Sequence, residues 1–284
     1  NKDFINKDAY VIFTSGSTGI PKGVKITHKN ALTFINECRK VFKINAKKRN
    51  FILIPDLSFD LSIFPLWYCI KIGGTLFYPS TEEKLNLIHY IKKKKINVFC
   101  STPSLIDYFQ NLNLLNNRIF SDIRLSVFCG EPFFIKQFKL WNKVCKKSEI
   151  FNTYGPTEAT CFCSYYQCRK KNLDKIADNT SISIGKFFRN INYKLMKSKK
   201  SLNKEGHLLL NGNQVFSGYL NKKKFSVSSF KKIKNIPYYK TGDYIKKIRN
   251  NYFFSKRIDR QIKVSGFRVE LKEIENLLNK YTKK

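Results

Sequence analysis

The stretch FTSGSTGIPKGV, residues 13–24, combines glycines, serines, threonines and one lysine directly after the apolar segment AYVI. The apolar residues predict a buried strand, and the glycine and hydroxyl cluster predicts the turn that leaves it. Backbone N–H groups and hydroxyls at a strand end, together with the positive charge of Lys22, suit the oxygens of a phosphate chain. The spacing is not that of a P-loop, because no Gly-Lys-Ser/Thr follows. A flexible linker is the alternative interpretation.

A second stretch, NTYGPTEAT at residues 152–160, follows another predicted buried strand. Ligands of open α/β sheets bind at such strand ends. Tyr154 offers a flat face for a base and Thr157 a hydroxyl for phosphate, and Glu158 offers a hard oxygen ligand for Mg²⁺. The alternative is a plain turn with one exposed glutamate.

Two more stretches contain polar side chains near glycine turns. YKTGD, residues 239–243, places Asp243 where its carboxylate could accept hydrogen bonds from a ribose diol. SKRIDRQIKVSGFRVELKEIE, residues 255–275, joins a dense basic segment to an amphipathic acidic helix. A solvated basic hairpin is the other interpretation of this last segment.

Asp60 stands in the otherwise apolar segment FDLSIFPLW. A buried carboxylate without a partner is costly, so this position indicates a cationic partner. The alternative is that Asp60 caps a helix beginning at Leu61.

The elements that must position these residues alternate between short apolar strands and helix-length segments, which is typical of a parallel sheet with flanking helices. Beyond residue 182 the pattern changes to short strands and turns, which predicts a distorted, antiparallel, barrel-like region. Strands are predicted at 9–15, 51–54, 75–78, 97–101, 125–129, 150–154, 207–210 and 252–255. Helices are predicted at 29–42, with Thr27 as cap, and at 61–72, 84–95, 104–113, 132–147 and 271–278.

The composition predicts a globular protein, since 42% of the 284 residues are hydrophobic. No apolar run approaches the roughly 18 residues that span a bilayer, and the N-terminus has no signal-peptide pattern, so we expect no membrane partner and a cytoplasmic location. The eight cysteines lack the paired spacing of a zinc site, which indicates reduced, mostly structural thiols. The net charge of +34 accompanies an excess of residues with A/T-rich codons. We therefore expect no specific nucleic-acid partner.

Together and in this order, the four glycine-containing stretches resemble the adenylate-forming superfamily of acyl-CoA synthetases, luciferases and peptide-synthetase adenylation domains. The resemblance implies ATP and Mg²⁺ as cofactors, with residues 13–24 as a mobile phosphate-handling loop. It also implies that residues 152–155 line adenine, that Asp243 and Arg257 bind ribose, and that Asp259 is a hinge. Thr157 and Glu158 would be catalytic, and Glu158 would hold the metal. The nucleotide-binding residues predicted in this way are Thr14, Ser15, Gly16, Ser17, Thr18, Gly19, Lys22, Asn152, Thr153, Tyr154, Gly155, Asp243 and Arg257.

The substrate class follows from the same resemblance. In amino-acid-activating members, an Asp at the position of Asp60 pairs with the substrate's ammonium group. The stretches STPS (101–104), FCGE (128–131) and GHLLLNGNQVFSGYLN (206–221) look most like the D-alanine–D-alanyl carrier protein ligase family. There, the cysteine matching Cys129 lies against a small substrate side chain. The implied partners are a small amino acid, D-alanine favoured, and a phosphopantetheinyl carrier protein.

The resemblance also implies a large AMP-binding domain over residues 1–258, α/β to about residue 175 and barrel-like over 176–258. Residues 259–284 would then begin a small, truncated C-terminal α+β domain. The family's C-terminal catalytic lysine motif and large N-terminal region have no counterpart here, and Lys283 and Lys284 do not match that motif. Three alternatives remain: a fragment, one part of a split enzyme completed by a second polypeptide, or a product of gene decay. A nucleotide-binding or carrier-docking protein without adenylation activity is the other functional hypothesis.

Overall fold

Strands and helices alternate along the first part of the chain and strands predominate afterwards. We describe a computed structural model over residues 4–15, 21–44, 48–115, 120–173, 177–196, 205–221, 227–258, 261–264 and 267–282. Its strands are β1 (Asp8–Thr14), β2 (Lys22–Thr27), β3 (Asn50–Ile52), β4 (Thr75–Phe77), β5 (Val98–Ser101), β6 (Leu125–Phe128), β7 (Glu149–Tyr154), β8 (Ser164–Cys168), β9 (Lys186–Phe187), β10 (Ile191–Met196), β11 (Glu205–Gly212), β12 (Phe230–Ile233), β13 (Ile236–Ile248), β14 (Asn251–Arg257), β15 (Gln261–Val264) and β16 (Phe267–Glu270). The helices are α1 (His28–Val41), α2 (Ile63–Lys71), α3 (Thr81–Leu85), α4 (Leu87–Lys93), α5 (Ser104–Asn111), α6 (Ile135–Val144), α7 (Lys170–Leu173) and α8 (Leu271–Thr282), with short 3-10 helices at Phe4–Asn6, Asp60–Ser62 and Thr157–Ala159.

Two multi-stranded sheets organise these elements, and β1-β2 and β15-β16 form separate antiparallel hairpins. The larger has the strand order β4-β3-β5-β6-β7-β8-β9, with parallel pairing from β4 to β7 and antiparallel pairing from β7 to β9. The smaller is antiparallel, with the order β10-β11-β13-β12 and with β14 paired to β13. The predicted combination of a helix-flanked parallel sheet and an antiparallel, barrel-like region is confirmed. The predicted division into two domains at residue 258 stays a prediction.

The hairpin of β1 and β2 corrects one expectation. The strand predicted at 9–15 exists as β1, but it pairs antiparallel with β2 and stays outside the larger sheet. The connection between β1 and β2 is too short for the crossover that a parallel pair requires. Strand β1 is also not fully buried, because Ile12 is buried whereas Phe13 is 61% exposed. Both ends of the predicted loop at 13–24 therefore belong to strands.

Two apolar clusters cover opposite faces of the larger sheet. Successive side chains of a strand alternate between its faces, and here Phe51 belongs to one cluster and Ile52 to the other. The first cluster packs against α1 and α2, and the second against α4, α5 and α6. The sheet is thus the middle layer of three, and its strand ends remain available for a site. No described helix is long and apolar enough to cross a membrane.

Local sequence signals explain where the helices begin. Thr27 caps α1, as predicted, and forms a capping box with Asn30. A second box between Ser80 and Glu83 begins α3 at Thr81. The single helix predicted at 84–95 is wrong, because two helices meet there at Asn86.

Candidate functional site

A cavity of about 750 Å³ opens at the carboxyl ends of the parallel strands. Its walls come from the segments that follow β3, β5, β6 and β7, together with the end of β1 and residues of β13 and β14. Such a strand-end crevice is where open α/β sheets bind ligands. The predicted site residues that line it are Thr14, Ser15, Asp60, Cys129, Gly155, Thr157, Asp243 and Arg257.

One wall contains an ion pair between neighbouring strands. Asp243 on β13 faces Arg257 on β14, and the Arg257 guanidinium donates to the Asp243 carboxylate at 2.7 Å. The Tyr154 hydroxyl donates to the other oxygen of the same carboxylate at 2.5 Å. Burial and the Asp243 charge raise the pKa of Tyr154 well above its ordinary value, so the phenol stays a neutral donor. The three predicted nucleotide contacts therefore form one hydrogen-bonded group.

Two other predicted residues use their side chains to anchor the backbone. The Asn152 amide donates to the carbonyls of Ile182 and Ser183, at 3.2 and 2.9 Å. The Thr153 hydroxyl donates to the Phe128 carbonyl at 2.9 Å. Of the predicted residues 152–155, only Gly155 is among the described residues that line the cavity. These bonds hold the end of β7 in place.

The turn after β7 depends on close backbone packing at Gly155. A Cβ atom at this position would lie 2.4 Å from the Cα of Phe162. After this glycine, Thr160 and Cys161 have positive φ angles of 56° and 75°. Thr160 is β-branched, and such a residue adopts a positive φ angle only when its surroundings hold it there.

Gln214 supplies that support and was missed by the sequence prediction. It is fully buried, and its amide donates to the carbonyls of Ala159 at 2.8 Å and Phe162 at 2.5 Å. The Thr160 hydroxyl donates to the Gln214 carbonyl at 2.7 Å. Because these contacts join segments about 55 residues apart in the chain, no local sequence pattern indicates them.

Glu158 lies within this turn and is fully buried. One of its carboxylate oxygens accepts a hydrogen bond from the Tyr219 hydroxyl at 2.8 Å. The predicted phosphate-loop cation, Lys22, lies 5.9 Å from the centre of the Tyr219 ring. Glu158 and Lys22 are not among the described cavity-lining residues, but they meet the same tyrosine. Tyr219 is a second residue that the sequence prediction missed.

The donors near Glu158 fit magnesium better than a transition metal. The Thr157 hydroxyl and the Glu158 carboxylate are hard oxygen ligands. Over the described part of the chain, no group of three or more His, Cys, Asp or Glu residues could hold a metal. Mg²⁺ is commonly bound by one or two carboxylates together with substrate phosphates and water, whereas structural zinc needs a closed set of protein ligands. A single buried carboxylate beside a hydroxyl therefore suits Mg²⁺.

Asp60 occupies a different part of the cavity wall. It is half-buried and begins the 3-10 helix Asp60–Ser62, whose capping residue is Phe59. The alternative assignment of Asp60 as the cap is therefore wrong. Burial first, and then the Asp60 charge, raise the pKa of the nearby Cys161 thiol. A negative charge thus lies close to apolar and thiol groups.

Cys129 directly follows β6 and is 4% exposed. Cys129 and Cys161 both line the cavity, and the Coulombic effect of Cys129 on the pKa of Cys161 is consistent with their proximity. All eight cysteines are buried and reduced, as predicted.

Five of the predicted residues lie outside the described residues: Gly16, Ser17, Thr18 and Gly19 of the glycine-rich loop, and the predicted hinge Asp259.

Comparison with known proteins gives consistent results. A family model described as AMP-binding enzyme matches residues 5–220. The D-alanine–D-alanyl carrier protein ligase of Bacillus licheniformis is 31% identical over 277 residues, which are 95% of this chain and 54% of that protein. The ligase of the same name from Lactococcus lactis is 34% identical over 276 residues, 95% of this chain and 52% of its own length. The chain spans about half the length of the curated relatives it matches.

The solved structures include the adenylation domain AlmE of Vibrio cholerae in complex with glycyl-adenosine-5′-phosphate. It superimposes on 99% of this chain and 53% of its own chain, with a TM-score of 0.89 and 30% sequence identity.

Proposed function

This chain belongs to the AMP-binding enzyme family, and from that membership we propose that it carries the nucleotide and amino-acid sites of an adenylating ligase. In the proposed reaction, the carboxylate of a small amino acid attacks the α-phosphorus of ATP, a new C–O–P linkage forms, and pyrophosphate leaves. The thiol of a carrier's phosphopantetheine then takes the acyl group and AMP leaves. D-alanine is the favoured amino acid.

ATP and Mg²⁺ are the cofactors of adenylation enzymes in this family. We propose that Asp243 and Arg257 bind the ribose and that Tyr154 contacts the adenine. Asp243 and Arg257 line the cavity, and Tyr154 donates a hydrogen bond to Asp243 from just behind that lining. Thr157 and Glu158 would hold Mg²⁺, which would neutralise phosphate charge when bound.

The observation that carries the amino-acid assignment is that Asp60 and Cys129 line the same cavity as Asp243 and Arg257. Asp60 offers a half-buried negative charge to a substrate ammonium group. Cys129 is a small, buried thiol that lines the same cavity. The ligase names of the relatives and the glycyl-adenylate in the Vibrio cholerae structure support a small amino acid.

Calorimetric titration of the chain with non-hydrolysable acyl-sulfamoyl adenosines tests this proposal. We expect the D-alanyl compound to bind more tightly than the propionyl compound, which has the same carbon skeleton but no ammonium group. Asp60→Asn should remove about 2 to 5 kcal/mol of binding of the D-alanyl compound, because the ligand cation would lose its partner. Binding of the propionyl compound should change little.

Asp56→Asn is the matched control. Asp56 also lines the cavity, but it is exposed and accepts hydrogen bonds from the Ser58 N–H and hydroxyl, both at 2.8 Å. Its replacement should alter affinity by no more than about 0.5 kcal/mol. Equal affinity of the native chain for the D-alanyl and propionyl compounds would overturn the amino-acid assignment. Preference for an L-phenylalanyl compound would overturn the proposal that the pocket accepts only a small side chain.

A further inference from the structure

We propose that Tyr219 is a positioning residue that fixes the Glu158 carboxylate and thereby sets the Mg²⁺ affinity of the nucleotide complex. This inference rests on the proposed function, since it concerns the metal that accompanies bound ATP. It assigns a role to a residue that lies outside the cavity lining and outside the sequence motifs for nucleotide binding.

The contact between Tyr219 and Glu158 is a buried hydrogen bond from a phenol to a carboxylate oxygen. Glu158 is 0% exposed and Tyr219 is 7% exposed, and 2.8 Å separate the phenol oxygen from Oε1. Hydrogen bonds to ionised groups are about twice as strong as neutral ones. The phenol therefore stabilises one orientation of the carboxylate in a site from which solvent is excluded.

Tyr219 is itself held in place from two sides. Its backbone forms a β-bridge with Val24, and its ring packs edge-to-face against Phe216 with centroids 4.9 Å apart. The Phe216 N–H donates to the Glu158 carbonyl at 2.8 Å. The backbone and the side chain of Glu158 are thus both tied to residues 216–219.

The same ring meets the predicted phosphate loop. The ammonium group of Lys22 lies 5.9 Å from its centroid, within the range of a cation–π interaction. Next to it, the N–H of Leu220 donates to the Gly23 carbonyl at 2.8 Å. Tyr219 consequently joins the proposed metal ligand to the strand that carries a proposed phosphate contact.

Residues that orient a metal ligand affect metal affinity as well as activity. Tyr219→Phe keeps the ring, its packing against Phe216 and its contact with Lys22, and it removes the hydroxyl that donates to Glu158. The measurement is calorimetric titration of AMP, and of ATP across a series of Mg²⁺ concentrations. We expect Tyr219→Phe to raise by about tenfold the Mg²⁺ concentration that gives half of the metal-dependent gain in ATP affinity. AMP affinity should stay unchanged.

Tyr10→Phe is the matched control. Tyr10 packs against the apolar cluster that contains Phe216 and Tyr219, and its buried hydroxyl has no hydrogen-bond partner among the described residues. Removal of the Tyr10 hydroxyl should leave the Mg²⁺ dependence of ATP affinity as it is in the native chain. An unchanged Mg²⁺ dependence in Tyr219→Phe, or an equal loss of AMP and ATP affinity, would overturn the inference. Failure of the native chain to bind either nucleotide would instead overturn the proposed function on which it rests.

Discussion

Gly155 shows how a single residue shapes the site. A Cβ atom there would approach the Phe162 Cα to 2.4 Å and the Cys163 nitrogen to 2.8 Å. These are backbone atoms of a loop that Gln214 holds in place, so they cannot move aside cheaply. Gly155→Ala should therefore lower the free energy of unfolding by about 3 kcal/mol, measured by urea denaturation.

Gly73→Ala is the control at this scale, because a Cβ atom there would meet no heavy atom within 4 Å and only the φ angle of +65° opposes it. We expect Gly73→Ala to lower the free energy of unfolding by about 1 kcal/mol. Equal losses in the two variants would show that the backbone around Gly155 can relax.

At the scale of elements, the N-terminus of α1 supports the turn that positions the site. Asn30 completes the capping box with Thr27, and its amide donates to the carbonyls of Asn213 at 2.8 Å and Val215 at 3.2 Å. Asn30→Ala removes the cap partner and both of these partly buried hydrogen bonds. It should lower the free energy of unfolding by about 2 to 3 kcal/mol, measured by guanidinium denaturation.

Ser80→Ala provides the comparison between elements. Ser80 makes the same type of capping box with Glu83 on α3, but it is exposed and the bonds stay within the turn. Ser80→Ala should lower the free energy of unfolding by about 1 kcal/mol. If Asn30→Ala lowers the free energy of unfolding by no more than Ser80→Ala does, the long-range hydrogen bonds of Asn30 contribute nothing measurable to stability.

At the scale of the whole molecule, the eight cysteines report on the integrity of both apolar clusters. Six belong to the cluster packed against α1 and α2, and two to the cluster on the other face of the sheet. Burial raises the pKa of seven of the eight thiols, and that of Cys69 rises to about 11. Because the thiolate is the reactive form, a disulfide reagent at pH 8 should modify the native thiols slowly and all eight rapidly in guanidinium.

Cys129 and Cys161 line the cavity, so a ligand in the cavity should protect them further. A fast-reacting native thiol at any of the other six positions would contradict the packing described for the two clusters.

The sequence alone determined what depends on neighbouring residues. Alternating apolar segments identified β3 to β7, five of the seven strands of the larger sheet, but not β8 and β9. Thr27 identified the start of α1. Gly155 and Asp243 were predicted site residues because each lies at a glycine turn, and ligands of open α/β sheets bind at strand ends. Asp60 was predicted because a carboxylate in an apolar segment indicates a cationic partner, and Cys129 was predicted from the resemblance of FCGE to a ligase family.

Only the tertiary structure decided which distant residues meet. Tyr219 reaches Glu158 across 61 positions, and Asn30 reaches Val215 across 185. The hairpin pairing of β1 and the loop contacts of Gln214 are of the same kind. Local patterns report backbone preference and burial, whereas these contacts depend on strand register and on the packing of one sheet against another, which many sequences with the same local pattern would not share.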